Sequence, residues 1–367
     1  MTTSHRCWAE IDPDALRHNL LTIRSMVAPG VKVMAVVKAD AYGHGLPGIA
    51  RLMDNEVDLF GVACLKEAQE IRASGANSEI VILSPALPDE RPAIVTNRFI
   101  PTVSTLGEAV AYADRVPNGE TISIHFVVDT GMGRMGLWGA EVPPVLEAIR
   151  TIPKLRIEAL ASHLPVSDED FEYTKEQLSR FETERHQLAV ESGSAAILNG
   201  AGILRFGASA KPGDIVRVGL PFYGVSPLPE HQQSFQPALA LKTRVTLVRV
   251  LGPGRSISYG RTFITPKTMR VATLAVGYGD GFDRHLSGRE TEVLVQGTRC
   301  RVLGRITMDQ IMVDVTHLNS VFAGEEAVLI GRQSSEEVSA VELATKADTI
   351  AWAIFTGITR RVERVYL

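Results

Sequence analysis

One lysine in this sequence ends an apolar run, in a position where its amine could react. Residues 33–37 read VMAVV, and Lys38 follows them directly. Burial disfavours the ammonium form, so it lowers the pKa of a lysine and makes the amine a nucleophile or a base near neutral pH. A lysine at a strand end can also extend its charge into solvent and have no chemical role. The strand pattern alone leaves both interpretations open.

The polar turn after Lys38 favours the chemical interpretation. Residues 39–45 read ADAYGHG, which places the hydroxyl of Tyr42, the imidazole of His44 and two glycines beside the amine. The stretch AVVKADAYGHG, residues 35–45, resembles the cofactor-lysine segment of alanine racemases. This resemblance implies that Lys38 attaches pyridoxal 5'-phosphate covalently and that Tyr42 contacts the cofactor's phosphate.

The elements that position this motif form a repeated pattern in the first part of the 367-residue chain. Apolar runs alternate with helical stretches, such as residues 65–73 and 171–191. Eight such units favour a (β/α)8 TIM-type barrel over an open doubly wound sheet, and the chemistry of such a barrel gathers at the carboxyl ends of its strands. The predicted strands are residues 33–37, 59–62, 80–83, 99–103, 122–128, 156–161, 195–198 and 215–218.

The residue pattern changes after the loop at residues 226–229. Alternation of apolar and polar residues, with Gly and Pro turns between, predicts strands at 241–250, 269–276, 292–295 and 311–315. A helix near 339–346 and a last strand at 360–366 are also predicted. We therefore expect an α/β protein, with a (β/α)8 barrel at residues 1–235 that carries the cofactor. A mainly β C-terminal domain follows at residues 236–367, and residues 1–11 are a candidate strand of that domain.

Composition excludes several classes of function. A formal net charge of −4 gives no electrostatic reason to expect nucleic acid or an anionic membrane as a partner. The N-terminus lacks the apolar core of a signal peptide, and no stretch reaches the roughly 18 apolar residues that span a membrane. Cys7, Cys64 and Cys300 lack metal-ligand spacing and indicate reduced thiols in a cytoplasmic protein, with no metal expected.

The loop at residues 129–136 has two interpretations. Its GMGRMG segment, residues 131–136, matches the glycine pattern of a dinucleotide-binding turn. A long Arg134 at the place of the pyrophosphate, and a strand that is fifth in its domain, argue against that interpretation. The DTGMGR loop resembles the one with which alanine racemases contact the substrate carboxylate and the cofactor's phenolic oxygen, which implies this role for Arg134. A surface arginine without function is the alternative.

The eighth predicted strand leads into a third similar segment, IVRVGLPFYG at residues 215–224. The resemblance implies that Arg217 donates to the pyridine nitrogen and that the backbone N–H groups of Gly219 and Leu220 hold the phosphate. An arginine there leaves the ring unprotonated, and a weaker electron sink favours proton transfer over transamination. His163 matches the histidine that hydrogen-bonds this arginine, although a lone histidine is more often part of the core.

The second domain contributes Tyr259, within RSISYGRTF at residues 255–263. Taken alone, such a tyrosine would be a packing residue. A racemase needs an acid/base group on each face of a planar carbanion. The match of Tyr259 to the family's second base implies that Tyr259 and Lys38 are these two groups. The family's tyrosine comes from the partner subunit, which implies a homodimer with shared active sites. The resemblance also places Tyr278 at the entrance and the backbone of Met308 at the substrate carboxylate.

Three positions depart from the family pattern. Val127 stands where many members carry a carboxylated lysine that orients the arginine, so we expect Arg134 to be held by another anion, water or a side chain from elsewhere. Asn199 is followed by Gly200 where many members have a phosphate-binding serine. Arg360 replaces a phosphate-contacting tyrosine and could supply its own charge to the cofactor site.

The interpretation that results is a cytoplasmic, homodimeric, pyridoxal-phosphate-dependent alanine racemase that supplies D-alanine for peptidoglycan. A decarboxylase of basic amino acids would need an acidic loop around its cysteine, whereas Cys300 lies in the basic segment TRCR. A noncatalytic cofactor carrier would need neither a β domain nor Tyr259. A racemase of serine or lysine remains open, because pocket shape separates neighbouring substrates by only about 1–3 kcal/mol per methylene.

Overall fold

The computed structural model describes residues 5–188 and 194–367, with only the backbone at residues 187 and 188. Two compact units make up these residues. The barrel unit comprises Leu16–Ala41 and Leu46–Gln236, and the β unit comprises the described residues up to Ala15, the short segment Tyr42–Gly45, and Pro237–Leu367. The last three residues of the predicted helix at 171–191 lie outside the described residues.

The barrel unit contains an eight-stranded parallel sheet that is nearly closed, which confirms the predicted fold class. Each of the first six strands pairs with the next along the chain, and the first also pairs with the eighth. All eight predicted strands are present, although the seventh is two residues shorter than predicted. The strands are Lys32–Val36, Leu59–Val62, Glu79–Ile82, Ile100–Val103, Ile122–Val127, Leu155–Ala161, Ala195–Ala196 and Ile215–Val218.

Helices cover the outside of this sheet, because every strand is buried on both faces and needs a crossover to reach its parallel neighbour. Alternate residues of the strands point inward and fill the barrel with aliphatic side chains, among them Met34, Leu59, Val81 and Val127. The helices are Pro13–Ser25, Leu46–Met53, Leu65–Ala73, Arg91–Thr96, Leu106–Ala113, Val142–Arg150, Phe171–Leu188 and Gly200–Phe206.

Asp214 connects the seventh and eighth barrel strands, between which the ladder of backbone hydrogen bonds is interrupted. The seventh and eighth strands are not paired to each other. The buried Asp214, just before the eighth strand, accepts the N–H of Ala195 at 3.0 Å and an N–H of Arg185 at 2.7 Å. It therefore connects the start of the seventh strand, the last barrel helix before it and the eighth strand through one carboxylate.

The β unit is built on a nine-stranded sheet. Strand Cys7–Ile11 lies between Leu239–Leu251, to which it is antiparallel, and Glu363–Tyr366, to which it is parallel. The other strands of the sheet are Met269–Leu274, Glu292–Val295, Thr298–Leu303, Ile311–Asp314, Glu326–Gln333 and Glu336–Val338. A separate hairpin pairs Ser256–Ile257 with Phe263–Ile264, and two helices, Ala340–Ala347 and Ala351–Thr356, precede the last strand.

Several of these strands were not predicted, and charge explains one of them. Strand Thr298–Leu303 carries Arg299, whose guanidinium bonds the carboxylates of Glu292, Glu336 and Glu342. Paired charges on a strand face reduce the apolar alternation that identifies a strand in sequence. Among the residues that the structure describes, no helix is long and apolar enough to cross a membrane, and no cluster of residues could hold a metal ion.

We predict that Asp214→Ala lowers the free energy of unfolding of the barrel by about 3–5 kcal/mol, because it removes a buried carboxylate that accepts N–H groups of Arg185, Ala195 and Lys211. Urea unfolding followed by circular dichroism measures this change. The matched control is Glu120→Ala, which removes an exposed ion pair to Arg98 at 3.2 Å and should cost less than about 1 kcal/mol. Equal effects of the two substitutions would contradict the role given to Asp214.

Candidate active site

Lys38 begins an unusual turn at the carboxyl end of the first barrel strand. The next four residues, 39–42, all adopt left-handed backbone conformations, with φ of 53°, 56°, 53° and 52°. None of them is glycine. The half-buried Lys38 is thus followed by a left-handed turn, which is costly for L-residues and persists only where its surroundings enforce it.

Three charged side chains act on the Lys38 amine. Burial lowers the pKa of Lys38, and the guanidinium groups of Arg134 and Arg217 lower it further, while the carboxylate of Glu67 acts in the opposite direction. All four residues belong to the barrel unit. The amine is therefore deprotonated at lower pH than an ordinary lysine, which suits a nucleophile or a base.

Arg217 and His163 form a hydrogen-bonded pair. The Nη2 group of Arg217 lies 3.2 Å from Nδ1 of His163 and also donates to the carbonyl oxygens of Ser162 and of Ile197. Burial and the nearby Arg217, Arg134 and Lys38 lower the pKa of His163 to about 3. Because arginine only donates, Nδ1 must accept, so His163 is neutral and carries its proton on Nε2.

The arginine of this pair remains a cation. Burial, followed by repulsion from Arg134, lowers the pKa of Arg217 only to about 10. Arg217 thus stays protonated at neutral pH, and it can donate to an acceptor but cannot supply a proton readily. The contacts with Ser162, His163 and Ile197 fix the direction in which its guanidinium points.

The loop that carries Arg134 is organised by its own aspartate. The carboxylate of Asp129 accepts the backbone N–H groups of Gly131, Met132 and Gly133 at 2.8–2.9 Å. No helix begins within residues 129–137, so the loop lacks the helix N-terminus that a dinucleotide-binding turn requires. The loop therefore lacks this feature of a dinucleotide-binding turn, and the role of Arg134 stays a prediction.

A second set of contacts fastens this loop to the barrel. Oγ1 of Thr130 lies 2.8 Å from Oγ of Ser162, and Nε2 of Gln177 lies 3.4 Å from the same Thr130 oxygen. Val127 packs into the barrel core. The exposed Arg134 has no hydrogen-bond or ion-pair partner among residues 5–188 and 194–367, so the expectation that an anion, water or another side chain holds it stays a prediction.

The residues expected at a phosphate lie at the ends of the seventh and eighth strands. Asn199 caps the helix Gly200–Phe206: its Oδ1 accepts the N–H of Gly202 at 2.9 Å. Leu220 opens a 3₁₀ helix, so neither its N–H nor that of Gly219 has an acceptor within that helix. A Cβ on Gly200 would lie 3.0 Å from Pro221, so the two segments are in close contact.

Tyr42 and Arg360 lie in the β unit. The Tyr42 side chain is buried, and burial raises the pKa of its hydroxyl to about 12, so the hydroxyl stays protonated and can donate. Gly43, next to it, has φ of +77°, and a Cβ there would lie 2.0 Å from the carbonyl oxygen of Phe355. Arg360 is exposed, and its proposed contact with a phosphate stays a prediction.

Tyr259 lies on a tight, exposed turn of the β unit. Its side chain is 69% exposed, and both Ser258 and Gly260 beside it have positive φ. Oγ of Ser258 donates to the carbonyl oxygen of Arg305 at 2.5 Å, which connects the turn to the segment before Met308. The tyrosine is not a core residue, contrary to the interpretation that its residue type alone would favour.

Tyr278 and Met308 are brought together by backbone hydrogen bonds. The N–H of Tyr278 donates to the carbonyl oxygen of Thr307 at 3.0 Å, and that of Gly279 to Met308 at 2.9 Å. Arg361, which sequence reasoning did not single out, joins the two segments by bonding Asp280 at 2.7 Å and Asp309 at 2.8 Å. Its position next to Arg360, within the predicted last strand, was the signal that the sequence offered.

The predicted residues thus form two groups, one in each unit. Lys38, Arg134, His163 and Arg217 act on one another electrostatically at the carboxyl ends of barrel strands. The turn with Tyr259 and the segments with Tyr278 and Met308 are linked in the β unit. Sequence reasoning missed Glu67, which lies on a helix surface in the sequence pattern and shows its role only through its contacts.

Comparison with known proteins covers nearly the whole chain. A family model described as alanine racemase, N-terminal domain, matches residues 11–227, and one described as alanine racemase, C-terminal domain, matches residues 238–366. The chain is 38% identical over 363 residues to an alanine racemase of Methylacidiphilum infernorum, covering 98% of this chain and 92% of the relative. It is 39% identical over 368 residues to that of Symbiobacterium thermophilum, covering 98% and 96%.

Solved structures agree with the sequence comparison. An alanine racemase of Clostridium difficile 630 superposes with a TM-score of 0.92 at 30% identity, covering 100% of this chain and 96% of the other. The alanine racemase of Bacillus anthracis with bound L-Ala-P gives a TM-score of 0.90 at 31% identity, with the same coverage. The matches of both domain models and of full-length relatives and structures show that the chain belongs to the alanine racemase family.

Proposed function

We propose that this enzyme interconverts L-alanine and D-alanine with pyridoxal 5'-phosphate, and that Lys38 and Tyr259 are its two bases. The observation that carries the proposal is the cationic group around Lys38, where Arg134, Arg217 and the neutral His163 converge with Glu67 as the opposing anion. Such a site calls for anionic ligands, and a phosphorylated cofactor with an amino-acid carboxylate supplies them.

The residues present fit pyridoxal phosphate. A lysine with a lowered pKa can form the covalent attachment to the aldehyde. The N–H groups of Gly219 and Leu220 and the protonated hydroxyl of Tyr42 would hold the phosphate. Arg217, a cation oriented by His163, would donate to the ring nitrogen. When bound, the cofactor would withdraw electrons from Cα of the substrate and make its proton acidic.

Asn199, Gly200 and Arg360 have supporting parts in this proposal. The side chain of Asn199 is engaged in capping the helix and in a 2.8 Å bond with Ser167, so its contribution is the placement of Gly200. Gly200 leaves the space that a side chain would take from Pro221. Arg360 would add charge in place of the family's tyrosine.

The chemistry requires a proton to leave one face of Cα and another to arrive on the opposite face. In the proposal the amine of Lys38 works on one face and the hydroxyl of Tyr259 on the other. Arg134 and the backbone of Met308 bind the substrate carboxylate, and Tyr278 lines the entrance. Fixing the carboxylate keeps Cα between the two bases, and such positioning lowers the barrier by pre-arranging the reacting atoms.

The exposed Tyr259 also supports a homodimer with shared active sites. A contiguous group of large apolar side chains at a protein surface commonly marks an interface. Tyr259, Ile264, Tyr278 and Met308 are 69%, 49%, 40% and 52% exposed on segments that are linked to one another. We propose that a second copy covers this surface and receives Tyr259 in its own active site.

The cellular role follows from the product. D-alanine would serve peptidoglycan synthesis in a bacterium, and the free thiols of Cys7, Cys64 and Cys300 are in keeping with a cytoplasmic enzyme. Inversion of serine or lysine by the same residues is the alternative, because both bases and the carboxylate site would be common to all three substrates.

We predict that the purified protein with pyridoxal phosphate forms D-alanine from L-alanine faster than it inverts L-serine or L-lysine. Chiral chromatography of the three incubations measures the rates, with Lys38→Ala as the inactive control. Faster inversion of serine or lysine would keep the mechanism and change the substrate. No inversion of any of the three would overturn the proposed function.

We predict that Tyr259→Phe lowers the racemisation rate by roughly 10²–10⁴-fold, the usual contribution of a general acid/base. With Lys38 intact, the α-proton of one alanine enantiomer should still exchange with deuterated solvent, and that of the other should not; proton NMR follows both. Tyr112→Phe is the control, because it removes a buried hydroxyl in a barrel helix. Equal exchange of both enantiomers by Tyr259→Phe would contradict a two-base mechanism.

We predict that two inactive variants restore activity when mixed. A dimer of one Lys38→Ala chain and one Tyr259→Phe chain contains one active site with both native bases if the sites are shared between subunits. Random reassociation after mild dissociation should therefore recover up to about a quarter of the native activity. Sites complete within one chain would recover none, and size-exclusion chromatography confirms that dimers have formed again.

A further inference from the structure

The left-handed turn after Lys38 needs an external support. Each non-glycine residue in this conformation costs roughly 1–2 kcal/mol relative to right-handed backbone, and residues 39–42 adopt it in succession. Inside the turn, the N–H of Ala41 donates to Val37 at 2.9 Å, and the carboxylate of Asp40 accepts the N–H of Leu46 at 2.8 Å. These bonds hold the middle and the end of the turn. The first peptide N–H after Lys38, that of Ala39, has its acceptor outside the turn.

Glu67 holds that first peptide. Its Oε1 accepts the N–H of Ala39 at 2.7 Å, and its Oε2 accepts the N–H of Ala63 at 2.7 Å. Ala63 directly follows the second barrel strand, which pairs with the strand that leads to Lys38. One carboxylate thus connects the ends of two neighbouring strands, through two short hydrogen bonds strengthened by its charge.

A second helix shows that this arrangement is not required for capping alone. In Leu106–Ala113, Glu108 likewise reaches back, and its carboxylate accepts the N–H groups of Ser104 at 2.8 Å and Thr105 at 3.0 Å. Both of these acceptor bonds stay at its own helix start. In Leu65–Ala73 only the bond to Ala63 is local, and the second bond of Glu67 goes to the lysine turn, 28 residues away.

The charge of Glu67 also acts on the amine itself. Among the charged groups that influence Lys38, Glu67 raises its pKa, whereas Arg134 and Arg217 lower it. A carboxylate in the first turn of its own helix, as Glu67 is, also interacts favourably with the helix dipole. Its two effects, on the backbone of the turn and on the charge of the amine, come from the same group.

We propose that Glu67 is the positioning residue of Lys38: it fixes the strained turn that presents the amine, and its negative charge offsets the positive charges of Arg134 and Arg217. This proposal deepens the proposed function and rests on Lys38 being the cofactor lysine. Glu67 itself touches neither the cofactor nor the substrate in this role. It acts through its hydrogen bond with the Ala39 N–H and through the electrostatic effect of its negative charge on the amine.

The test compares Glu67→Gln with Glu108→Gln in the full-length chain. Trace labelling of lysines with acetic anhydride over a range of pH, read by mass spectrometry of peptides, gives the pKa of Lys38 in cofactor-free protein, with the exposed Lys175 as internal reference. We expect Glu67→Gln to lower the pKa of Lys38 by on the order of one pH unit, because an opposing charge is lost. Glu108→Gln should leave it unchanged.

A second measurement tests the backbone role. Glu67→Ala should weaken pyridoxal phosphate binding by about tenfold or more, since both charge-assisted hydrogen bonds are lost, whereas Glu108→Ala should not weaken it. Equal pKa values of Lys38 and equal cofactor affinities in the Glu67 and Glu108 variants would overturn the proposal. Native protein that neither binds the cofactor nor inverts alanine would overturn the proposed function instead, so the two failures are distinguishable.

Discussion

Mutual repulsion of cations is the constraint on which the rest of this structure depends. Lys38, Arg134 and Arg217 lie at or just after the carboxyl ends of barrel strands, where the burial of Lys38 and Arg217 strengthens their interaction. Groups of like charge come together only where a scaffold holds each of them separately. The barrel does so by placing each residue at the end of a different strand, or in a loop directly after one.

The surrounding polar groups limit the repulsion among these cations and hold the backbone beside them. His163 stays neutral and accepts from Arg217, so a fourth positive charge does not arise. The Asp129 carboxylate accepts backbone N–H groups of the Arg134 loop, and the Glu67 carboxylate accepts a backbone N–H of the lysine turn. Each stabilising anion therefore acts on backbone beside the cations, and the guanidinium of Arg134 stays available for an anionic ligand.

Much of the fold followed from pattern alone. The eight parallel strands are buried on both faces, and their continuous apolar runs, such as residues 33–37, stand out in the sequence. The β unit was harder to predict. Strands such as Thr298–Leu303 carry charged side chains that obscure the strand pattern. Their ion-pair partners are carboxylates distant in the sequence, which a short sequence window does not include.

The sequence by itself determined which chemical groups are available and which strand ends present them, because side-chain identity and the apolar runs before Lys38 and Arg217 are local properties. Only the tertiary structure decided how these groups are held and charged. The left-handed turn after Lys38 is adopted by alanine, aspartate and tyrosine, none of which favours it, and it depends on Glu67, 28 residues away. The neutral state of His163 likewise depends on its burial and on Arg217, 54 residues away, because protonation responds to burial and neighbouring charge, which exist only after folding.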